Sequence, residues 1–243
     1  IKLQRVMYMN KIVIIGAGYV GLVSSAGFAE LGFKIICIEN NREKYSDLQQ
    51  GIIPIYEPQL EDLISKGQKA GNLVFASDYK NHLDDATAVI IAVGTPTNEL
   101  TQNVDLSAVF SVVEELALQL NPNTVIITKS TVPIGTNRKI LSILQRKRSG
   151  IRFSVASNPE FLREGSAVDD FFNPDRIIFG VSDERARQIG TLIYEDFCKQ
   201  KKTSLLFTNL ESSETIKYAA NAFLATKIAF INEMSDLCEK SGE

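Results

Sequence analysis

Short runs of β-branched and aliphatic residues alternate along the chain with longer stretches whose apolar positions recur at helical spacing. The short runs predict strands at Ile12–Ile15, Lys34–Ile38, Leu73–Phe75, Ala88–Val93, Thr124–Thr128, Phe153–Ala156, Arg176–Phe179 and Ser204–Phe207. The stretches between them predict helices at Val20–Glu30, Asn41–Gln49, Gln59–Lys66, Leu106–Leu118, Thr136–Arg146 and Glu184–Phe197. That rhythm predicts a parallel sheet covered by helices on both faces. Near Glu211 it changes. Ser212 to Lys240 contains neither proline nor glycine and keeps a helical period, so it predicts one helix longer than most in globular proteins.

Composition narrows the classes. A chain of 243 residues, 44% hydrophobic and 23% charged, holds one large domain or one domain and part of another. A net charge of −3 offers no basic footprint for nucleic acid, and Arg146-Lys147-Arg148 reads as a solvated helix end. Cys37, Cys198 and Cys238 are scattered with no CxxC pair, which fits reduced thiols in a cytoplasmic protein and gives no metal site. No apolar run approaches the roughly 20 residues of a membrane span, and Ile12–Ile15 is too short for a signal peptide. Ile1–Tyr8 reads as lying outside the fold, with Met9-Asn10-Lys11 resembling a natural start.

The chemistry begins at the first strand. Gly16, Gly18 and Gly21 form a G-x-G-x-x-G turn, with Tyr19 and Val20 between the last two glycines, directly after an apolar strand and opening a helix. The first glycine permits the tight turn, the second lets backbone approach a pyrophosphate, and the third lets helix and strand pack closely. Glu39 ends the next strand, about 20 residues on, where a carboxylate accepts from ribose hydroxyls and repels a 2′-phosphate, which favours NAD over NADP. Lys44 follows in the next helix, either near the adenosine ribose or as an ordinary surface lysine. The expected class is therefore α/β: a Rossmann-type doubly wound, mostly parallel sheet over residues 9–208 binding NAD. Residues 209–243 then begin a second, helical domain.

Ligands of open α/β sheets lie beyond the carboxyl ends of the strands. Three such ends carry polar or proline-bearing loops: Gly94-Thr95-Pro96-Thr97, Lys129 through Thr136, and Ser157 through Gly165. Thr95, Thr131, Glu160 and Glu164 can there serve proton removal from an alcohol. The bland alternatives are strand-ending prolines, Thr136 as a helix N-cap and solvated loop acids. Lys217 and Asn221, four residues apart, share one face of the long helix among small and apolar neighbours. They read either as an oxyanion-stabilising pair or as a lysine stem snorkelling to solvent.

Six stretches in order, Gly16–Leu22, Pro54–Pro58, Val93–Pro96, Lys129–Pro133, Asn158–Gly165 and Lys217–Ala225, resemble the UDP-glucose/GDP-mannose dehydrogenase family, most closely its UDP-glucose-oxidising members. The resemblance implies a two-step, four-electron oxidation to UDP-glucuronate. The sugar 6-hydroxyl gives a hydride to NAD, a cysteine thiolate captures the aldehyde, a second NAD takes another hydride, and the thioester is hydrolysed. It further implies that Gly16, Gly18, Gly21, Glu39 (usually aspartate in the family), Lys44, Thr95, Thr131 and Glu164 hold NAD. Thr131, Glu160 and Glu164 would position or activate water. Phe161, Leu162, Arg163, Glu164 and Gly165 would meet the sugar nucleotide largely through backbone, while Lys217 and Asn221 would stabilise the oxyanion.

One departure stands out. The family places its nucleophile in a Gly-Gly-x-Cys-Phe-Pro-Lys-Asp segment after the long helix, and this chain contains no such segment. The expectation is an N-terminal portion, carrying the NAD site and part of the substrate site, truncated within a central domain and paired as a homodimer through the long helix. Two alternatives stay open: the same chemistry on UDP-N-acetylmannosamine or GDP-mannose, and a non-catalytic NAD-binding module. The Pro54–Pro58 stretch needs no ligand to explain it, because a helix-entry turn suffices.

Overall fold

The computed structural model describes residues 10–99 and 103–242; Ile1–Tyr8 and the start at Met9 lie outside the described residues. Its sheet has the order β3-β2-β1-β4-β5-β6-β7-β8. The strands are β1 (Lys11–Ile15), β2 (Lys34–Ile38), β3 (Leu73–Ala76), β4 (Ala86–Ile91), β5 (Val125–Thr128), β6 (Ser154–Ser157), β7 (Arg176–Val181) and β8 (Ser204–Asn209). The helices are α1 (Tyr19–Glu30), α2 (Arg42–Gln49), α3 (Leu60–Lys69), α4 (Ser107–Gln119), α5 (Thr136–Lys147), α6 (Ala167–Phe172), α7 (Glu184–Lys201) and α8 (Leu210–Ser241).

The class is the one expected, a doubly wound, mostly parallel α/β sheet. Along β1, Ile12 and Ile14 face a core built with Leu22 and Phe28 of α1, whereas Val13 and Ile15 face a core built with Val109 and Val113 of α4. Alternate residues of one strand thus enter opposite cores, which is why its whole run is apolar. From β3 to β6 the order is that of a dinucleotide-binding sheet, and the direction of winding reverses between β1 and β4. A crevice opens there at the carboxyl edge.

Two features depart from the expected rhythm. The short helix α6 had no sequence signature, since six residues span less than two turns. Strand β7 pairs antiparallel with β6, through Ala156↔Val181 and Ser157↔Gly180. At about 9 Å, α6 is too short to carry the chain back along a strand, so β7 returns down the neighbouring edge. The unit β7–α7–β8 then resumes parallel pairing.

Helix α8 is 32 residues long, and its N-cap Asn209 accepts the Ser212 N–H at 2.7 Å. Only Leu210, Ser213, Glu214 and Lys217 are buried, and everything from Asn221 to Gly242 is exposed.

Candidate active site

The glycine turn shows why each glycine is needed. Gly16 has φ +104°, and a β-carbon there would stand 2.7 Å from the Ala92 carbonyl oxygen; at Gly21 it would stand 1.7 Å from the Gly16 oxygen. Gly18 has nothing within 4 Å of that position and lies exposed at the N-cap of α1, with no side chain capping the helix. Free N–H groups over open space make a cradle that fits a pyrophosphate, and a β-carbon at Gly18 would fill it.

Glu39 is buried at the end of β2, where its Oε1 accepts the Asn41 N–H at 2.8 Å. That bond leaves the carboxylate with further acceptor capacity. Lys44 is exposed in the first turn of α2, its N–H bonded to the Asn41 side chain.

The strand-end loops are stitched to one another. Thr95 Oγ1 donates to the Thr131 carbonyl at 2.9 Å, and Ser130 Oγ donates to the Val93 carbonyl at 2.7 Å. Thr136 is not the N-cap of α5. Its hydroxyl donates to the Pro133 carbonyl, and the cap residue is Gly135. The capping carboxylate comes instead from Glu214 of α8, which accepts the N–H groups of Gly135 at 2.6 Å and Asn137 at 2.8 Å, and Asn137 Nδ2 at 2.8 Å. Nothing in local sequence signals this, because donor and acceptor are nearly 80 residues apart.

The centre of the site is an ion pair. Lys217 Nζ lies 3.0 Å from Glu160 Oε1, their side chains only 7% and 13% exposed. The ammonium also sits 5.2 Å from the centre of the Phe161 ring, and Glu160 Oε2 accepts the Leu162 N–H at 2.6 Å. Neither the snorkelling lysine nor the solvated acid survives for these two residues. Asn221, one turn further along α8, is exposed and stands outside this buried group.

Within the 161–165 loop, Arg163 is bound to Asp170 through both its guanidinium and its N–H. Gly165 gives its N–H to Glu57. The N–H groups of Leu162, Arg163 and Gly165 are therefore already taken, which leaves those of Phe161 and Glu164 for a ligand. Glu164 is exposed at the rim. Burial raises the Tyr19 hydroxyl well above the ordinary tyrosine range, helped by Glu57 and more weakly by Glu164 and Glu160, so these carboxylates converge on the start of α1.

Two groups were missed by sequence reasoning. Lys129 is buried at the end of β5, donating to Asn158 Oδ1 at 3.1 Å, and the Tyr194 hydroxyl donates to the same oxygen at 2.6 Å. Burial brings the Lys129 ammonium down to about 8; Glu160 opposes this and Lys217 adds to it. Its place directly after an apolar strand was the available signal. Glu57, read only as part of a helix-entry turn, is a buried carboxylate accepting from Tyr19, Gly165 and Ala167. A cavity of about 510 Å³ beside the loop is lined by Lys129, Asn158, Glu160, Phe161, Arg176 and Tyr194 among others.

The three cysteines lie elsewhere. Cys37 is buried in β2, its thiol pushed up to about 12 by burial; Cys198 is buried in α7; Cys238 is exposed far along α8. None stands at the rim. Among the described residues no helix is long and apolar enough to cross a membrane.

Comparison with known proteins gives a consistent result. The signature of the UDP-glucose/GDP-mannose dehydrogenase family, NAD binding domain, matches residues 10–198, and that of the family's central domain matches residues 211–243. The UDP-glucose 6-dehydrogenase of Rhizobium meliloti is 47% identical over 234 residues, covering 96% of this chain and 53% of the relative. Among solved structures, a UDP-glucose dehydrogenase from Pyrobaculum islandicum superposes with a TM-score of 0.86 at 37% identity, covering 95% of this chain and 53% of that one. A GDP-mannose dehydrogenase from Pseudomonas aeruginosa gives 0.83 at 30% identity, covering 91% and 51%. The chain spans about half the length of the curated relatives it matches. With the NAD binding domain matched over residues 10–198, the chain carries an NAD site, and it belongs to the UDP-glucose/GDP-mannose dehydrogenase family.

Proposed function

We propose that this chain supplies the dinucleotide site and one wall of the sugar-nucleotide site for the NAD-dependent oxidation of UDP-glucose to UDP-glucuronate. The observation that carries this reading is the dehydrated Lys217–Glu160 pair at the carboxyl rim of a dinucleotide-binding sheet. In such a pocket an ammonium stabilises negative charge developing on a sugar oxygen, and the adjacent carboxylate takes the hydroxyl proton directly or through a water. Bound NAD supplies the hydride acceptor.

The remaining roles follow from placement. The backbone of Gly16, Gly18, Tyr19, Val20 and Gly21 holds the pyrophosphate, and Glu39 receives the ribose hydroxyls. Thr95 fixes the loop that presents Thr131 to the crevice. Lys44 and Glu164 approach the cofactor from its rim. Phe161 through Gly165, with Asn221, form the wall that faces the sugar nucleotide. Residues 9–208 make the NAD-binding domain, and 209–243 open a helical one. The exposed Phe223, Leu224, Ile228, Phe230 and Ile231 of α8 pair this chain with a second copy. Three free thiols, two of them buried, fit a cytoplasmic setting.

Titration of the 243-residue chain with NADH, then with UDP-glucose, UDP-N-acetylmannosamine and GDP-mannose side by side, tests the reading. Both NADH and UDP-glucose bind, and Lys217→Met weakens the sugar nucleotide more than NADH. No UDP-glucuronate forms, because no cysteine of this chain stands at the rim. A clear preference for another sugar nucleotide reassigns the substrate, and turnover to the uronate refutes the proposed division of labour.

A further inference from the structure

The turn between α2 and α3 has no part in the reading above, yet its carboxylate joins two walls of the site. Glu57 Oε1 accepts the Tyr19 hydroxyl at 2.7 Å and the Gly165 N–H at 2.5 Å, and Oε2 accepts the Ala167 N–H at 3.1 Å. Tyr19 is the first residue of α1, directly after the exposed Gly18. Gly165 closes the 158–165 loop with φ +83°, and Ala167 opens α6. The turn itself is held firmly, because Ile53 and Ile55 pack on the same core as Tyr19 and Leu162. One dehydrated carboxylate therefore fastens the start of the pyrophosphate-binding helix to the end of the loop that bears Glu160 and Glu164.

We propose that Glu57 is a positioning residue that couples the two sites, so that a dinucleotide bound on the glycine turn orders the 160–167 segment, and a sugar nucleotide on that segment favours the dinucleotide by the same factor. This rests on the reading of that segment as a wall of the sugar-nucleotide site. The physical basis is shared ordering. A ligand that immobilises Tyr19 restricts the carboxylate that also holds Gly165 and Ala167, and a second ligand meets a loop whose freedom has already been reduced.

Amide hydrogen exchange at Gly165 and Ala167, measured with and without saturating NADH, tests the coupling without needing the sugar. In the unaltered chain NADH slows exchange there by about fivefold or more. In Glu57→Gln the remaining oxygen still serves Tyr19 and Gly165, but the amide nitrogen cannot accept from Ala167, and the NADH effect at Ala167 falls below about twofold. Tyr19→Phe keeps both backbone bonds but removes the hydroxyl that ties Glu57 to α1, and the NADH effect falls below about twofold at both amides; it carries the test if Glu57→Gln does not fold. A carboxylate that merely stabilises the turn predicts something else: faster exchange in Glu57→Gln with the NADH ratio preserved. That result, or a ratio near one in the unaltered chain, overturns the proposal. If NADH protects the segment but UDP-glucose does not bind, the coupling stands and the substrate reading falls.

Discussion

Replacing Glu214 by alanine removes the carboxylate that caps α5, and the cost can be worked from the structure. Glu214 is 2% exposed and accepts from the backbone of Gly135 and Asn137 and from the Asn137 side chain. Asn137 is fully buried, so water cannot replace the lost acceptor at its two donors, whereas half-buried Gly135 can be rehydrated. Two stranded buried donors cost about 1–3 kcal/mol each, and removing a buried charge returns part of that. The net expectation is a loss of about 3 kcal/mol. For a chain of this size, that lowers the melting temperature by about 6–12 °C. Glu214→Gln retains one acceptor and recovers part of the loss. Thermal unfolding followed by circular dichroism measures both. A drop of less than about 2 °C for the alanine variant would mean that the cap is solvated or replaceable, and the accounting above would be wrong.

The glycine turn predicts a contrast between two substitutions. Gly18→Ala meets no protein atom, so the melting temperature stays near that of the unaltered chain, while NADH affinity falls by about tenfold or more because the methyl group occupies ligand space. Gly21→Ala collides with the Gly16 carbonyl and loses both stability and affinity; equal melting curves for the two variants contradict the geometry. Lys129 predicts a pH dependence. Its pKa falls from 10.5 unfolded to about 8 folded, so between these values the unfolded chain binds the extra proton and stability rises with pH. The gain is complete above the unfolded value and is lost as pH falls through about 8, on the order of 3 kcal/mol in all. The raised Cys37 thiol acts oppositely above its ordinary value of 9, so the comparison with Lys129→Met isolates the lysine. Parallel pH profiles for the two proteins refute the assignment.

Much of this was legible in the sequence because it depends on short-range pattern. Strand and helix bounds fall within two residues of expectation, except that α3 and α7 run on to Lys69 and Lys201. Apolar strands buried on both faces and a glycine turn fixed by backbone contacts declare themselves locally. Groups that act across the fold do not. Glu57 and Glu214 meet their partners 38 to 110 residues away, and nothing next to them in sequence distinguishes them from surface acids. Thr136 looked like a cap because its own neighbours allow it, but a carboxylate from α8 took the position. Lys217 was readable as costly to bury. Its partner was not, since spacing paired it with Asn221, whereas the loop after β6 brings Glu160. The short α6 and the reversed β7 escaped because less than two turns of helix leave no period to detect.

Among the described residues, helix α8 is a rod about 48 Å long gripped at its N-terminal end. Its gripped turns carry three attachments in close succession: Ser213 to Ser157 at 3.0 Å, Glu214 to the start of α5, and Lys217 to Glu160. A stiff helix cannot twist at one of these points and stay still at the next. Torque applied to the distant apolar surface, by whatever clasps it, is delivered to the end of β6, the Thr131 loop and the 160–165 loop as a single movement. The side chains at the rim are thus mechanically continuous with residues that never approach them.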